Sequence, residues 1–243
     1  RYLPDGSPDL EFGGCGRVTT DFPGTRFEED QAFAIAQQSD EKLVVVGHAY
    51  NGDHGTFALA RYETSGPSRC PTLPSATCKS SLKPDSSFLR IRDSSSDNLD
   101  LISWGLTSGA ASIPDEFGDP LTGQEFVLCV YDGASGGGER LIFSAVTPVA
   151  QRCGRNACWT AASNRKLAFR NNGGEPCGLT AMQLTSGADG KTKLSARGKG
   201  ARLNLPPLPL NPPVRVQLHR VGGQCWQTTL TQVRQNGKGR FAA

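Results

Sequence analysis

The sequence predicts an all-β protein, with one propeller-blade-like antiparallel unit followed by a disulfide-stapled β-sandwich. Glycine (29) and proline (16) are abundant among the 243 residues, and methionine occurs once. Short apolar runs with period-2 alternation, separated by turn residues, are typical of many short strands, whereas runs with the helical period are nearly absent. The eight cysteines add the expectation that cross-links stabilise this fold.

The most apolar stretch, Gln124 to Val146, predicts a β-hairpin around a glycine-rich turn. Alternation places large side chains on both faces of its first strand, with Phe126, Leu128 and Val130 on one face and Val127, Cys129 and Tyr131 on the other. A hairpin that is apolar on both faces is normally central in a sandwich. We therefore expect the second half of the chain to pack around it.

The N-terminal sixty residues contain a repeat. Arg1 to Gly6 (RYLPDG) and Arg61 to Gly66 (RYETSG) share an Arg-Tyr pair followed by a glycine-ended turn. Short-strand zones are predicted between them at 16–22, 32–49 and 57–62. A sixty-residue unit of four strands has the size of a propeller blade, and a lone blade exposes faces that its neighbours would cover. Residues 1–66 are therefore expected to be unstable alone.

These residues resemble the delta-60 repeat of large exported bacterial proteins. The match consists of RYLPDGSPDLEFGGCGRVTTDF at 1–22 and FALARY at 57–62, with AFAIAQQSDEKLVVVG between them. The resemblance implies a propeller-like blade, a binding or scaffold role, and further propeller blades of the parent chain before Arg1; the family supplies no catalytic residues. The second Arg-Tyr turn lacks the family's Pro-Asp-Gly, so the array is expected to stop there.

Residues 67–84 are rich in proline and serine and are predicted to form a linker, which leaves 85–243 as the sandwich domain. Besides the hairpin, strands are expected near 86–93, 98–106, 166–170, 179–186, 191–198, 214–221 and 225–233. The proline-rich stretch 205–213 (LPPLPLNPP) cannot donate a full set of ladder hydrogen bonds, so we expect an extended crossover between sheets.

This second part also resembles a cysteine-containing all-β module that recurs in exported bacterial proteins. The segments that carry the resemblance include FVLCVYDG at 126–133, CGRNACW at 153–159, SGADGKTKL at 186–194 and VRVQLHRVGGQCW at 214–226. The resemblance implies an exported compartment and this fold, and no particular chemistry.

The cysteines mostly lack the CxxC spacing of zinc sites and predict disulfides, which places the protein in an oxidising compartment, secreted or at the cell surface. A reduced cytosolic protein is the alternative. Two disulfides are expected to close local loops, Cys153 with Cys158 and Cys70 with Cys78. A third, Cys129 with Cys225, is expected to join distant parts of the chain. Cys15 and Cys177 are left unassigned.

Charge divides the chain unequally. Residues 1–150 hold 11 basic and 21 acidic residues, whereas residues 151–243 hold 15 and 2. One interpretation is that acidic and basic strands neutralise each other within one sandwich. The other is a basic face that binds a polysaccharide or another polyanion, formed by Lys191, Lys193, Arg197, Lys199 and Arg202. Aromatic residues do not interleave this segment, so nucleic acid is the weaker candidate partner.

The sequence offers no motif for catalysis, a cofactor or a metal ion. His48 and His54 flank Asp53, residues 93–100 contain three aspartates, and Asp119 precedes a proline, but loop and turn roles explain all of these better. No apolar run is long enough to form a transmembrane segment. We expect neither a catalytic site nor a metal site.

Three tryptophans, Trp104, Trp159 and Trp226, lie in or beside predicted strands. Core packing is the first interpretation, and a sugar-stacking surface that includes Trp159 is the second. The sequence thus favours a non-catalytic binding or structural module of an exported bacterial protein. The alternatives are a carbohydrate-binding accessory module of a secreted enzyme, which open tryptophan rings would support, and a hydrolase that uses paired carboxylates.

Overall fold

The computed structural model describes residues 1–243 except 5, 7, 19, 21, 23–29, 51–53, 64–68, 84–85, 135–136 and 149–151. Over these residues the protein is all-β, as predicted, with strands in several sheets and short 3-10 helices at Asp97–Leu99, Pro114–Phe117 and Pro120–Thr122. None of the helices in the described ranges is long and apolar enough to cross a membrane.

Two small sheets lie outside the main body of strands. A three-stranded antiparallel sheet has the order β1-β2-β3, with β1 (Gln31–Gln37), β2 (Leu43–Tyr50) and β3 (Gly55–Tyr62). It occupies the region predicted as a blade, although the described residues of 16–22 form no strand. The second is a two-stranded ribbon formed by β9 (Arg152–Cys153) and β10 (Asn156–Ala157).

Two larger sheets form the sandwich. The five-stranded sheet has the order β4-β16-β15-β7-β8. Its members are β4 (Lys79–Ser80), β7 (Phe126–Gly133), β8 (Glu139–Val146), β15 (Val214–Arg220) and β16 (Cys225–Leu230). The eight-stranded sheet has the order β11-β12-β13-β14-β6-β5-β18-β17. Its members are β5 (Phe88–Arg92), β6 (Leu101–Gly109), β11 (Trp159–Ser163), β12 (Lys166–Arg170), β13 (Leu179–Thr185), β14 (Thr192–Lys199), β17 (Gln235–Gly237) and β18 (Arg240–Ala242).

Buried tryptophans connect the two large sheets. The Trp104 indole N–H on β6 donates to the Thr228 hydroxyl on β16 at 2.9 Å, so the two inner faces meet at these residues. The Trp226 indole N–H donates to the Ser112 hydroxyl at the same distance. Both rings are fully buried, and each has a partner for the polar group that burial removes from water.

The predicted hairpin is β7 and β8, and β7 is buried on both faces as expected. One face of β7 packs in the sandwich core. The layer that covers its other face was not predicted, because it comes from the segment that composition assigns to a linker. Cys70 is bonded to Cys129 on β7, and Ser75 exchanges two hydrogen bonds with Gln217 on β15. The domain boundaries remain predictions, but residues 69–78 are fastened across the outer face of the five-stranded sheet.

The predicted pairing of Cys129 with Cys225 is wrong, and so is that of Cys70 with Cys78. The disulfides are Cys15–Cys177, Cys70–Cys129, Cys78–Cys225 and Cys153–Cys158, of which only the last was assigned from the sequence.

The sheet register explains the error. Strand β15 separates β7 from β16, and Cys129 lies opposite Gln217 whereas Cys225 lies opposite His219. Two strand spacings and a two-residue offset put the Cα atoms of Cys129 and Cys225 about 12 Å apart, which is too far for a disulfide. The crossing segment brings Cys70 to one of them and Cys78 to the other.

The two cysteines left unassigned join the N-terminal segment to the sandwich. Cys15 is bonded to Cys177, its carbonyl accepts a hydrogen bond from the Asn204 amide at 2.7 Å, and the Gly14 carbonyl accepts one from the Ser144 hydroxyl at 2.6 Å. The N-terminal segment is therefore held on the sandwich surface at Gly14 and Cys15 by covalent and polar contacts.

Candidate anion-binding face

The outer face of the eight-stranded sheet is strongly basic. Its eight strands contain no aspartate or glutamate, and all their lysines and arginines are exposed. Period-2 alternation explains the arrangement, since apolar neighbours such as Leu194 and Ala196 face the core. We call this surface the basic face and define it by Arg90, Arg92, Lys166, Arg170, Lys193, Arg197, Lys199 and Arg240.

Sheet register arranges these cations in rows that cross the strands. Arg170 on β12, Ala181 on β13 and Arg197 on β14 are consecutive partners, and the row continues through Ser103 to Arg90. Because Arg170 and Arg197 are two strands apart, their Cα atoms are about 10 Å apart. The row therefore presents separated positive charges along a line.

The basic face has no internal neutralisation. None of its eight cations forms an ion pair with a described residue, whereas Arg140 pairs with Asp132 at 3.0 Å and Arg215 with Glu139 at 2.9 Å on the other large sheet. Glu139–Arg215 is the one ion pair in the described ranges that joins the acidic and basic halves of the chain. The expectation that cross-strand pairs neutralise the basic half is therefore wrong for this face.

A depression of about 400 Å³ runs across the basic face, and we call it the groove. Its lining includes Ala168, Gln183, Ser195, Ser103 and Phe88 from five adjacent strands, together with Arg170 and Arg197. The side chains of Gln183, Ser195 and Ser103 make no hydrogen bond within the described part of the chain. The groove thus offers donors and acceptors to a ligand.

Phe88 closes one end of the groove because Gly105 lies beneath its ring. A Cβ at Gly105 would come 2.5 Å from Phe88 Cε1, so a glycine is needed for this close approach. The Arg90 guanidinium carbon lies 5.3 Å from the centre of the same ring, which is a cation–π distance. Phe88 is consequently a fixed aromatic edge next to a cation.

Three of the five residues predicted for a basic face lie on it. Lys193, Arg197 and Lys199 lie on it, Lys191 is exposed in the turn before β14, and Arg202 pairs with Glu175 at 2.7 Å in a loop. Five members of the face were missed: Arg90, Arg92, Lys166, Arg170 and Arg240. Basic and apolar residues alternate in LRIR at 89–92 and KLAFR at 166–170, and this pattern could have predicted that their cations share one exposed face of the sheet.

Trp159 is not part of a binding surface, so its assignment as a binding residue is wrong. Its ring is buried between Phe126 and Phe169, with centroid distances of 5.3 and 5.1 Å. The rings of Trp104 and Trp226 are buried as well. A sugar platform built from open tryptophan rings is therefore excluded.

One cluster in the described ranges has metal-ligand chemistry. Cys78, Cys225 and His219 place their ligating atoms within 4.8 Å of one another, but the two sulfurs are joined in a disulfide and are not thiolates. His219 is buried, which lowers its pKa to about 4, and a ring nitrogen lies 2.9 Å from the Gln217 side-chain oxygen. The neutral imidazole is thus a satisfied core group.

Two of the aspartates that the sequence offered as ligands have structural roles. The Asp119 carboxylate accepts a hydrogen bond from the Leu121 amide at 3.0 Å and caps a 3-10 turn, as Asp-Pro predicted. Asp100 accepts one from the Ser94 amide at 2.8 Å, and burial raises its pKa. Asp53, which belongs to the weighed histidine cluster, lies outside the described residues.

Two further surfaces differ in character from the basic face. A cavity of about 850 Å³ between the N-terminal segment and the five-stranded sheet has acidic and basic residues in its lining, so no single charge dominates it. The three-stranded sheet exposes apolar side chains, with Phe57 77% and Phe33 67% accessible. Such exposed apolar surface is typical of an interaction site.

No family model, curated protein or solved structure matches this chain. The resemblance to the delta-60 repeat and the further blades that it implies therefore stay predictions. The four disulfides indicate an oxidising environment.

Proposed function

We propose that this protein is a non-catalytic binding module of an exported protein, and that its basic face binds an anionic polymer. The observation that carries the proposal is the set of eight exposed cations on a sheet whose strands contain no carboxylate. Unpaired charges of one sign on a surface raise the local concentration of an oppositely charged ligand. The disulfides are consistent with a place outside the reducing cytosol.

The alternative function, a carbohydrate-binding accessory module, is compatible with this proposal if the carbohydrate is bound by some means other than stacking on tryptophan. Aromatic stacking on tryptophan is not available, because the three rings are buried. Charge and hydrogen bonding would therefore have to supply the affinity, which restricts the ligand to acidic polymers.

Chromatography on sulfated dextran, with neutral dextran as the reference matrix, tests this proposal. We expect the wild-type protein to be retained on sulfated dextran and not on neutral dextran. It should elute from sulfated dextran at higher salt than the triple variant Lys193→Ala/Arg197→Ala/Lys199→Ala. Counterion release is the reason, since each lost contact makes binding less dependent on salt.

The matched control is Lys83→Ala/Arg155→Ala/Arg234→Ala, which removes the same charge from exposed positions outside the strands of the basic face. It should elute close to the wild type. Equal elution of the two triple variants would mean that net charge, and not this face, determines retention.

A further inference from the structure

The groove has a more specific geometry than a uniformly charged surface. Ala168, Gln183, Ser195 and Gly105 form an uncharged row across the strands that ends at Phe88. The next row on one side contains Arg170 and Arg197, and the next on the other contains Lys166 and Lys193, because outward residues alternate along each strand. An uncharged channel thus runs between two basic edges.

The dimensions of this channel suit a linear polymer. It crosses five strands, which at the usual strand spacing spans about 19 Å, and its two basic edges are about 13 Å apart, four residues along a strand. A chain lying across the strands would meet a cation on either side along its length. Its neutral polar groups would meet the unpartnered side chains of Gln183, Ser195 and Ser103.

We infer that the groove binds a linear acidic polysaccharide, with the sugar rings over Gln183 and Ser195 and the carboxylate or sulfate groups on Arg170 and Arg197. This inference rests on the proposed function and names the ligand class for the same face. Guanidinium groups match planar carboxylates and the oxygens of sulfate through paired N–H donors. The hydroxyl groups of the sugar pair with the amide and hydroxyls of the groove floor.

The single aromatic residue on the outer face of the eight strands argues against single-stranded nucleic acid. Phe88 is the only ring there, and it lies at the end of the groove. Proteins that bind single strands stack successive bases on several aromatic side chains. A polysaccharide has no such requirement, since hydroxyls and charges carry its recognition.

The test is the affinity of the whole protein for an oligouronate of about six sugars, compared with sulfated dextran, a neutral hexasaccharide and oligo(dT). Arg170→Ala/Arg197→Ala on the groove edge is compared with Arg92→Ala/Arg240→Ala, which lies on the same face outside the groove lining and removes the same charge. We expect the groove-edge variant to bind the oligouronate about tenfold more weakly, and the matched variant, which removes only general positive charge from the face, to lose clearly less.

Two variants of the groove floor test the path of the ligand without changing charge. Ser195→Tyr fills the groove with an outward side chain on a strand, and we expect it to weaken oligouronate binding about tenfold. Gln183→Ala removes a hydrogen-bonding side chain at an exposed position and should also weaken binding, so the test stands if Ser195→Tyr folds poorly. Thermal unfolding of each variant checks the fold.

The outcomes separate the groove from the face. Equal losses in the two arginine pairs, with no effect of Gln183→Ala, would overturn the groove and leave the basic face as the binding surface. Tighter binding of oligo(dT) than of the oligouronate would overturn the polysaccharide and favour nucleic acid. Failure of the wild type to bind any of the polyanions would overturn the proposed function itself.

Discussion

At the scale of single residues, burial decides which polar and aromatic side chains are available for function. The tryptophan rings and His219 are enclosed, while the cations of the basic face remain open. Sequence reasoning predicted core packing for the tryptophans as its first interpretation because each lies in or beside an apolar strand. It could not exclude an open Trp159, since the chain alone does not show that Phe126 and Phe169 enclose that ring.

His219 should make the stability of the protein depend on pH. Burial lowers its pKa from 6.5 to about 4, so the unfolded chain takes up the proton first as the pH falls. The contribution of the neutral His219 to the free energy of unfolding is fully present above pH 6.5 and is lost as the pH falls towards 4. The loss amounts to at most about 3 kcal/mol. Urea unfolding of the wild type and of His219→Gln at pH 7.5 and 4.5 measures this effect. The variant should lose less stability on acidification, and an equal loss in both proteins would contradict this account.

At the scale of elements, the alternation of apolar residues correctly predicted the hairpin of the five-stranded sheet, whereas amino-acid composition did not predict the segment that covers it. Alternation in 126–131 correctly predicted that both faces of β7 are covered. Composition predicted a linker for the segment that covers one of them, because prolines and serines carry no periodic signal. The anchors of that segment are side-chain contacts with β7, β15 and β16, and they depend on a strand order that local sequence does not encode.

Disulfides that fix this segment should contribute more to stability than the local one. Cys78 and Cys225 are 147 residues apart, whereas Cys153 and Cys158 are 5 apart. In the chain-entropy model, replacing the long-range pair by alanines costs about 5 kcal/mol and replacing the local pair about 2 kcal/mol. Urea unfolding of Cys78→Ala/Cys225→Ala and of Cys153→Ala/Cys158→Ala gives both values. A larger loss in the second variant would contradict the covering role of the segment.

At the scale of the whole molecule, the two large sheets differ in what their outer faces expose. The outer face of the five-stranded sheet is covered by segments cross-linked to it, and the outer face of the eight-stranded sheet is open and basic. The charge asymmetry of the sequence indicated a basic surface, but its residues come from both halves of the chain. Strand β6 pairs with β14 on one side and with β5 on the other, which puts Arg90 in the same row as Arg197 and Arg92 in the same row as Lys199, with one strand between them. That long-range pairing, and not any local pattern, assembles the groove.

The most direct test of the central claim is to map the bound ligand by NMR. Backbone amide shifts of the intact, oxidised protein are followed as an oligouronate is added. The account predicts shifts concentrated on β12, β13, β14, β6 and β5, largest around Ser195 and Arg197, and little change on β7, β15, β16 or the three-stranded sheet. Shifts confined to the three-stranded sheet, or to the cavity beside Arg220, would contradict the claim that the basic face is the binding surface.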